Sequence, residues 1–106
     1  MPWLQCIPHR FKNINLIFPT QQQDVYDLIQ ASIPDKNIRK IIIFGSSVTK
    51  ACNPWSDIDV YFEKKKEGAF PVVGSHTAVY DKWDNFSVSK ELYDEIKEKG
   101  VVVYER

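Results

Sequence analysis

Three groups of residues in this chain have types and spacing that can do chemistry. Gly45-Ser46 follows directly on the apolar run 38–44 (IRKIIIF) and opens a short segment of helical pattern. Glycine lets a backbone come close to a phosphate, and a helix N-terminus presents free N–H groups. Ser46 adds a hydroxyl donor. Asp57-Ile58-Asp59 begins the alternating stretch 57–63 (DIDVYFE). Alternate residues of a strand share a face, so both carboxylates point the same way. Two carboxylates held together repel, and a divalent cation relieves the repulsion. Mg²⁺ favours one or two carboxylates completed by phosphate oxygens and waters. The third group is Asp81, mid-way through 79–83 (VYDKW). A strand lying beside 57–63 brings it over the same face. Asp84 falls one register off, faces away from Asp81, and reads with Asn85 as a turn.

Each group has an ordinary explanation when taken singly. Gly-Ser after a strand is often only a turn, and most Asp-x-Asp triplets are solvated. Here, however, two aspartates occupy successive same-face positions of a strand, where aspartate is disfavoured. A local conflict of that kind points towards function.

The elements that must position these residues follow from hydrophobic period and punctuation. Residues 10–18 alternate in part, which suits an edge strand or an extended arm over 1–19. Thr20 to Gln23 reads as a capping box, with Val25, Leu28, Ile29 and Ile33 on the helical face that follows. Pro34-Asp35 ends that helix. Residues 38–44 form a short β-branched strand apolar on both faces. A short helix over 46–51 stops at Asn53-Pro54. In the strand 57–63, Ile58, Val60 and Phe62 face the core. Asp57, Asp59, Tyr61 and Glu63 face the other side. Residues 64–76 contain Gly68, Pro71 and Gly74 and leave no comfortable room for a crossover helix, which predicts an antiparallel neighbour at 77–83. Ser89 caps a second helix, with Val88 and Tyr93 as its hydrophobic staple and Gly100 as a left-handed C-cap. Residues 101–104 make a last strand. The order α-β-α-β-β-α-β describes one α+β domain, a sheet with helices packed on it.

Composition bounds the function. The chain has 106 residues, 14 Lys+Arg and 14 Asp+Glu. One domain is the expectation at this length, and it can bury roughly two-thirds of its unfolded surface. Zero formal charge gives no basic stripe for coating nucleic acid, although it leaves nucleotide binding open. No apolar run approaches the about 18 residues of a membrane span. The start, PWLQCIPHRFK after Met1, lacks the pattern of a secretory signal. Two cysteines, Cys6 and Cys52, make neither a disulfide framework nor a zinc spacing and fit a reducing cytoplasm. His9 and His76 are isolated and read as surface or packing residues. Trp55 and Tyr61 read as packing in the first instance. The run Glu63-Lys64-Lys65-Lys66-Glu67 reads as a solvated turn.

Gly45-Ser46, ten intervening residues and Asp57-Ile58-Asp59 resemble the G-S-x-D-x-D signature of the DNA polymerase β-like nucleotidyltransferase superfamily. The likeness is nearest to its minimal nucleotidyltransferase domains and covers roughly residues 20–106. The apolar strand before Gly45, SDIDVYFE, the strand carrying Asp81 and the closing SKELYDEIKEKGVVVYER lie in the family's order. The resemblance implies a mixed sheet with flanking helices. It implies that Gly45, Ser46 and Ser47 cradle phosphates, and that Asp57 and Asp59 hold Mg²⁺ or Mn²⁺. Asp81 matches the third carboxylate, a metal ligand that also takes the acceptor proton. Where many minimal domains carry an Arg-Ala-x-Gly-like stretch, this chain has Ser47-Val48-Thr49-Lys50, which leaves Lys50 as the substitute cation. The activity implied is transfer of NMP, most simply AMP from ATP, to a hydroxyl. The family's toxin–antitoxin pairs place that hydroxyl on a tyrosine of a HEPN-type toxin, which makes such a protein the expected partner. The alternatives are a non-catalytic module that neutralises or scaffolds a partner, and a nucleotidyltransferase acting on a small molecule of the antibiotic type.

Overall fold

The computed structural model describes residues 3–48, 57–74 and 79–106. Its elements are helix α1 (Gln22–Ser32), strand β1 (Ile38–Phe44), a 3-10 turn at Gly45–Val48, β2 (Ile58–Lys64), β3 (Tyr80–Asp84), α2 (Lys90–Lys99) and β4 (Val101–Glu105). The four strands form one mixed sheet in the order β3-β2-β1-β4. The class is α+β, as the order of patterns implied.

β1 is the spine of the molecule, and its near-continuous apolar run has a structural cause. Ile41 and Ile43 join Ile58, Val60 and Phe62 against Val25, Leu28 and Ile29 of α1. Ile42 and Phe44 point the other way and meet Tyr61 and Ile96 of α2. One helix therefore covers each face of the sheet. A strand between two helical layers has no polar face to show.

Four expectations from the sequence are corrected here. β3 runs parallel to β2, not antiparallel. A parallel connection needs about a dozen residues or more, but not a helix. The described residues after Lys64, to Gly74, hold no helix and pack Phe70 and Val73 onto the α1-side core. The second correction is at the start of α1. Pro19–Gln21 is a 3-10 turn, Gln21 takes the N-cap position, and no side chain caps it, so Thr20 and Gln23 make no capping box. Gln22 is instead fully buried, and its amide donates to the carbonyls of Leu4, Ile14 and Ile17. Those bonds tie down the first segment, which has a 3-10 turn at Ile14–Leu16 and no strand among its described residues. Ile17 lies in the main core. Third, Gly100 is extended (φ −74°, ψ 159°) and not left-handed. Glycine is needed there because a Cβ would run into the Ile96 carbonyl and Ile42. Fourth, Lys64 is no solvated turn residue. Its side chain is fully buried and its ammonium lies 3.0 Å from Asp84.

Ser89 does cap α2, accepting from the Leu92 N–H at 3.2 Å. Val88 and Tyr93 both pack on the cluster under that helix, as a staple would place them.

Candidate active site

The site begins where β1 ends. Phe44 pairs with Asp59 across the β1–β2 ladder, and the next residue, Gly45, turns the chain at φ 72°. That left-handed value disfavours any side chain with a Cβ. A Cβ at Gly45 would also collide with the Asp59 carboxylate. Two independent constraints thus require glycine: the turn itself, and the room the carboxylate occupies. The turn continues as the 3-10 segment Gly45–Val48, tighter over these residues than the helix the sequence suggests, whose remainder, 49–51, lies outside the described residues. Ser46 is half-buried in it. Ser47 is fully buried, and its Oγ has no hydrogen-bond partner among the described residues. The Ser47 carbonyl accepts from the Phe18 N–H at 3.0 Å, so the N-terminal segment braces the turn. Lys50, Cys52 and Trp55 lie outside the described residues, as does His76.

Two of the three carboxylates lie on neighbouring strands. Asp59 is the register partner of Asp81 in the parallel ladder. Parallel partners project to the same face, and neighbouring strands are about 4.8 Å apart. The face is the one that α2 covers in part, since Phe44 shares it with Asp59. Asp57 stands exposed just before β2. Burial, then the charges of Asp81 and Asp57, push the Asp59 carboxyl above its usual range. The Asp59 carboxyl therefore feels the charges of Asp81 and Asp57. As they stand, no three His, Cys, Asp or Glu side chains among the described residues make up a metal-ligand set. The left-handed turn at Gly45 and the charges that Asp81 and Asp57 bring to bear on Asp59 suit a divalent cation with a phosphate ligand, which the three carboxylates would have to draw together to hold.

Other residues fall into place around this centre. Tyr61 is 1% exposed because Ile96 lands on its side of β2. Burial, with Tyr93, Glu63 and Asp84 nearby, pushes its hydroxyl up to about 12. It is a packing residue and not a base-stacking platform. Asp84 faces the opposite side from Asp81, as expected, and does hold a turn: it accepts from the Phe86 and Ser87 N–H groups at 2.9 Å. His9 stacks on Tyr26 with ring centroids 4.4 Å apart. Cys6 is exposed and free.

A cavity of about 590 Å³ opens beside Asp59, lined by Phe44, Gly45, Val48, Asp59, Glu95 and Lys99. Glu95 and Lys99 come from the last turns of α2 and were not singled out in the sequence. Their i, i+4 spacing was visible, but nothing there says which end of α2 approaches Gly45.

Of the segment 64–76, the structure describes 64–74. Lys64 ends β2, five residues or about 16 Å of strand from Asp59. Phe70 and Val73 lie on the α1 side of the sheet, opposite the carboxylates. These described residues do not line the Asp59 cavity.

No family model matches the chain, and comparison with curated proteins returns no match either.

Proposed function

We propose that the protein is a nucleotidyltransferase of the minimal, polymerase β-like kind, moving AMP from ATP to a hydroxyl of a partner protein. The observation that carries this is the pairing of Asp59 with Asp81 beside the left-handed turn at Gly45. Gly45 and Ser46 would take the triphosphate at the end of β1. Asp57, Asp59 and Asp81 would hold Mg²⁺ or Mn²⁺. Bound there, such a cation stabilises the entering and leaving oxygens of an in-line phosphoryl displacement. Asp81, on the outer strand of the sheet, is the carboxylate best placed to take the proton of an incoming hydroxyl. The oxygen of that hydroxyl attacks the α-phosphorus, the bond to the β-phosphate oxygen breaks, and pyrophosphate leaves. With Asp59 raised by burial and then by the charges of Asp81 and Asp57, the site stands to gain from a cation.

The acceptor comes from outside. β3 is an edge strand, so the face carrying Asp81 is bounded on that side by no further strand among the described residues. A protruding tyrosine of a HEPN-type helical partner would meet that need, reaching within about 3–3.5 Å of the phosphorus. The test is incubation with α-labelled ATP, Mg²⁺ and co-purified partner. The expected result is a gain of one AMP on the partner, lost in Asp57→Ala and Asp81→Ala. Tight partner binding without any transfer favours the non-catalytic module, for which the ungathered ligand set speaks. Transfer to a small alcohol alone favours the third possibility.

A further inference from the structure

The cavity beside Asp59 is lined by a cation that makes no ion pair among the described residues. Lys99 lines it together with Gly45, Asp59 and Glu95. Among the described residues, ion pairs join Lys12 and Lys40 to Glu105, and Lys64 to Asp84. Lys99 is in none of them. Glu95 sits four residues before it, the favourable orientation for a helical pair, and no pair closes. Lys97, two residues earlier, is different. Its ammonium lies over the Tyr93 ring at 5.5 Å and away from the cavity. A general need for positive charge at the end of a helix is met by either lysine. Only Lys99 faces the carboxylates.

The backbone that carries it is also fixed. Gly100 follows at once, and its backbone is pressed so closely on Ile42 that a Cβ would not fit. The Gly100 N–H donates to the Ile96 carbonyl at 2.7 Å. The last turn of α2 is thus seated on the sheet, with the Lys99 stem at the cavity rim. The other lining charges are negative, and a nucleoside triphosphate with its magnesium still carries net negative charge. Among the described lining residues Lys99 is the cation that offsets this charge as phosphate enters; Lys50 lies outside the described residues. Gly45 and Ser46 supply only neutral donors.

We propose that Lys99 binds the phosphate tail of the nucleoside triphosphate. This rests on the nucleotidyltransferase assignment and adds to it a phosphate-binding residue from the C-terminal helix. Lysine serves such sites as a point charge.

The test is calorimetric titration of the full chain with Mg–ATP, at low and at physiological salt. The variants are Lys99→Gln, Lys99→Arg and, as control, Lys97→Gln. Lys99→Gln should weaken binding about five- to tenfold and flatten its salt dependence, because one ionic contact is gone. Lys99→Arg should restore binding to within about twofold, since the charge returns. Lys97→Gln should match the wild type. If the wild type binds Mg–ATP and Lys99→Gln binds it equally well at both salts, Lys99 is not a phosphate ligand, and the nucleotidyltransferase assignment stands without it. If the wild type binds no Mg–ATP, both fall.

Discussion

β2 and β3 lie side by side for five residue pairs, and their two ends treat charge in opposite ways. At the far end, Lys64 and Asp84 are buried and paired at 3.0 Å. The Lys64 ammonium also donates to the Gly68 carbonyl at 2.7 Å and lies 4.0 Å over the Phe70 ring. Asp84 has its acceptors filled by Lys64, Phe86 and Ser87. At the near end, Asp59 and Asp81 are register partners of like charge, and neither is in an ion pair among the described residues. Burial works to raise both Asp84 and Asp59. Lys64 and the turn N–H groups overcome it at Asp84 and hold that carboxyl below its usual range. At Asp59 the neighbouring charges add to burial instead. The closed end holds the sheet together. The open end is left uncompensated, the condition a bound cation relieves.

The largest effect should come from breaking the closed end. Lys64→Met leaves the Asp84 carboxylate buried without its counter-charge, a change that costs about 3–5 kcal/mol. Chemical denaturation should show a loss of that size. Lys64→Met with Asp84→Asn removes both charges while the asparagine oxygen still accepts from Phe86 and Ser87. That double variant should recover most of the loss, because a buried ion pair is worth far less than the penalty for halving it. Equal losses in the single and double variants would mean that the carbonyl bonds of Lys64, and not its charge, hold this end.

Next comes Gly45→Ala. A left-handed φ costs a residue with a Cβ about 1–2 kcal/mol, and the clash with Asp59 adds to it. A loss of roughly 2–3 kcal/mol is expected. In an Asp59→Ala background the clash disappears and only the φ cost remains, so the double-mutant cycle should show coupling. No coupling would separate the turn from the carboxylate it is held to accommodate.

The open end was the more legible of the two in the sequence, for a physical reason. Its residues break local rules. Aspartates at alternate strand positions and a glycine after an apolar run conflict with propensity, and such conflict can be read one residue at a time. The closed end is a pact between Lys64 and Asp84, which are 20 residues apart, and each looks like ordinary surface when read alone. Parallel pairing of β2 and β3 is not legible locally, because a connection without a helical pattern reads as too short for a crossover until Phe70 and Val73 are seen anchored on the core. Tyr61 alternates with the core face, and its residue type reads as packing. Only the landing of Ile96 on that side buries it. Glu95 and Lys99 enter the site through the seating of α2, which no local pattern encodes.

Acid separates the ends by sign. The Asp84 carboxyl titrates below its unfolded value of 3.8. It therefore contributes stability that is fully present above about pH 4 and is lost as pH falls further. Asp59 titrates above 3.8, so the folded chain binds its proton more tightly than the unfolded chain does. Its contribution declines as pH rises through that raised value and stays unfavourable at neutrality. Between pH 7 and 3, Asp84→Asn should flatten the acid loss of stability seen in the wild type, whereas Asp59→Asn should steepen it. Thermal unfolding across a buffer series checks both. Parallel shifts of the two variants would show that the ends do not differ in the way described.

The smallest effect is the most specific. Without metal or nucleotide, Asp59→Asn removes a like charge facing Asp81 and Asp57 while keeping the shape of the side chain. Melting should rise by roughly 1–3 °C, since solvent screens part of the repulsion at this half-exposed position. With Mg²⁺ and ATP in excess the order should reverse. The wild type gains stability from any ligand that binds only its folded form, about 2.7 kcal/mol at a hundredfold excess over Kd. Asp59→Asn, with a poorer ligand in place of a carboxylate, gains less. The crossing matters more than either shift alone. A merely structural aspartate could give the rise without ligand, and a nucleotide site elsewhere could give the stabilisation with it. Only a carboxylate that is repelled when empty and ligating when filled makes one substitution change sign. If Asp59→Asn is stabilising under both conditions by the same amount, the open end is an unrelieved repulsion and not a metal site.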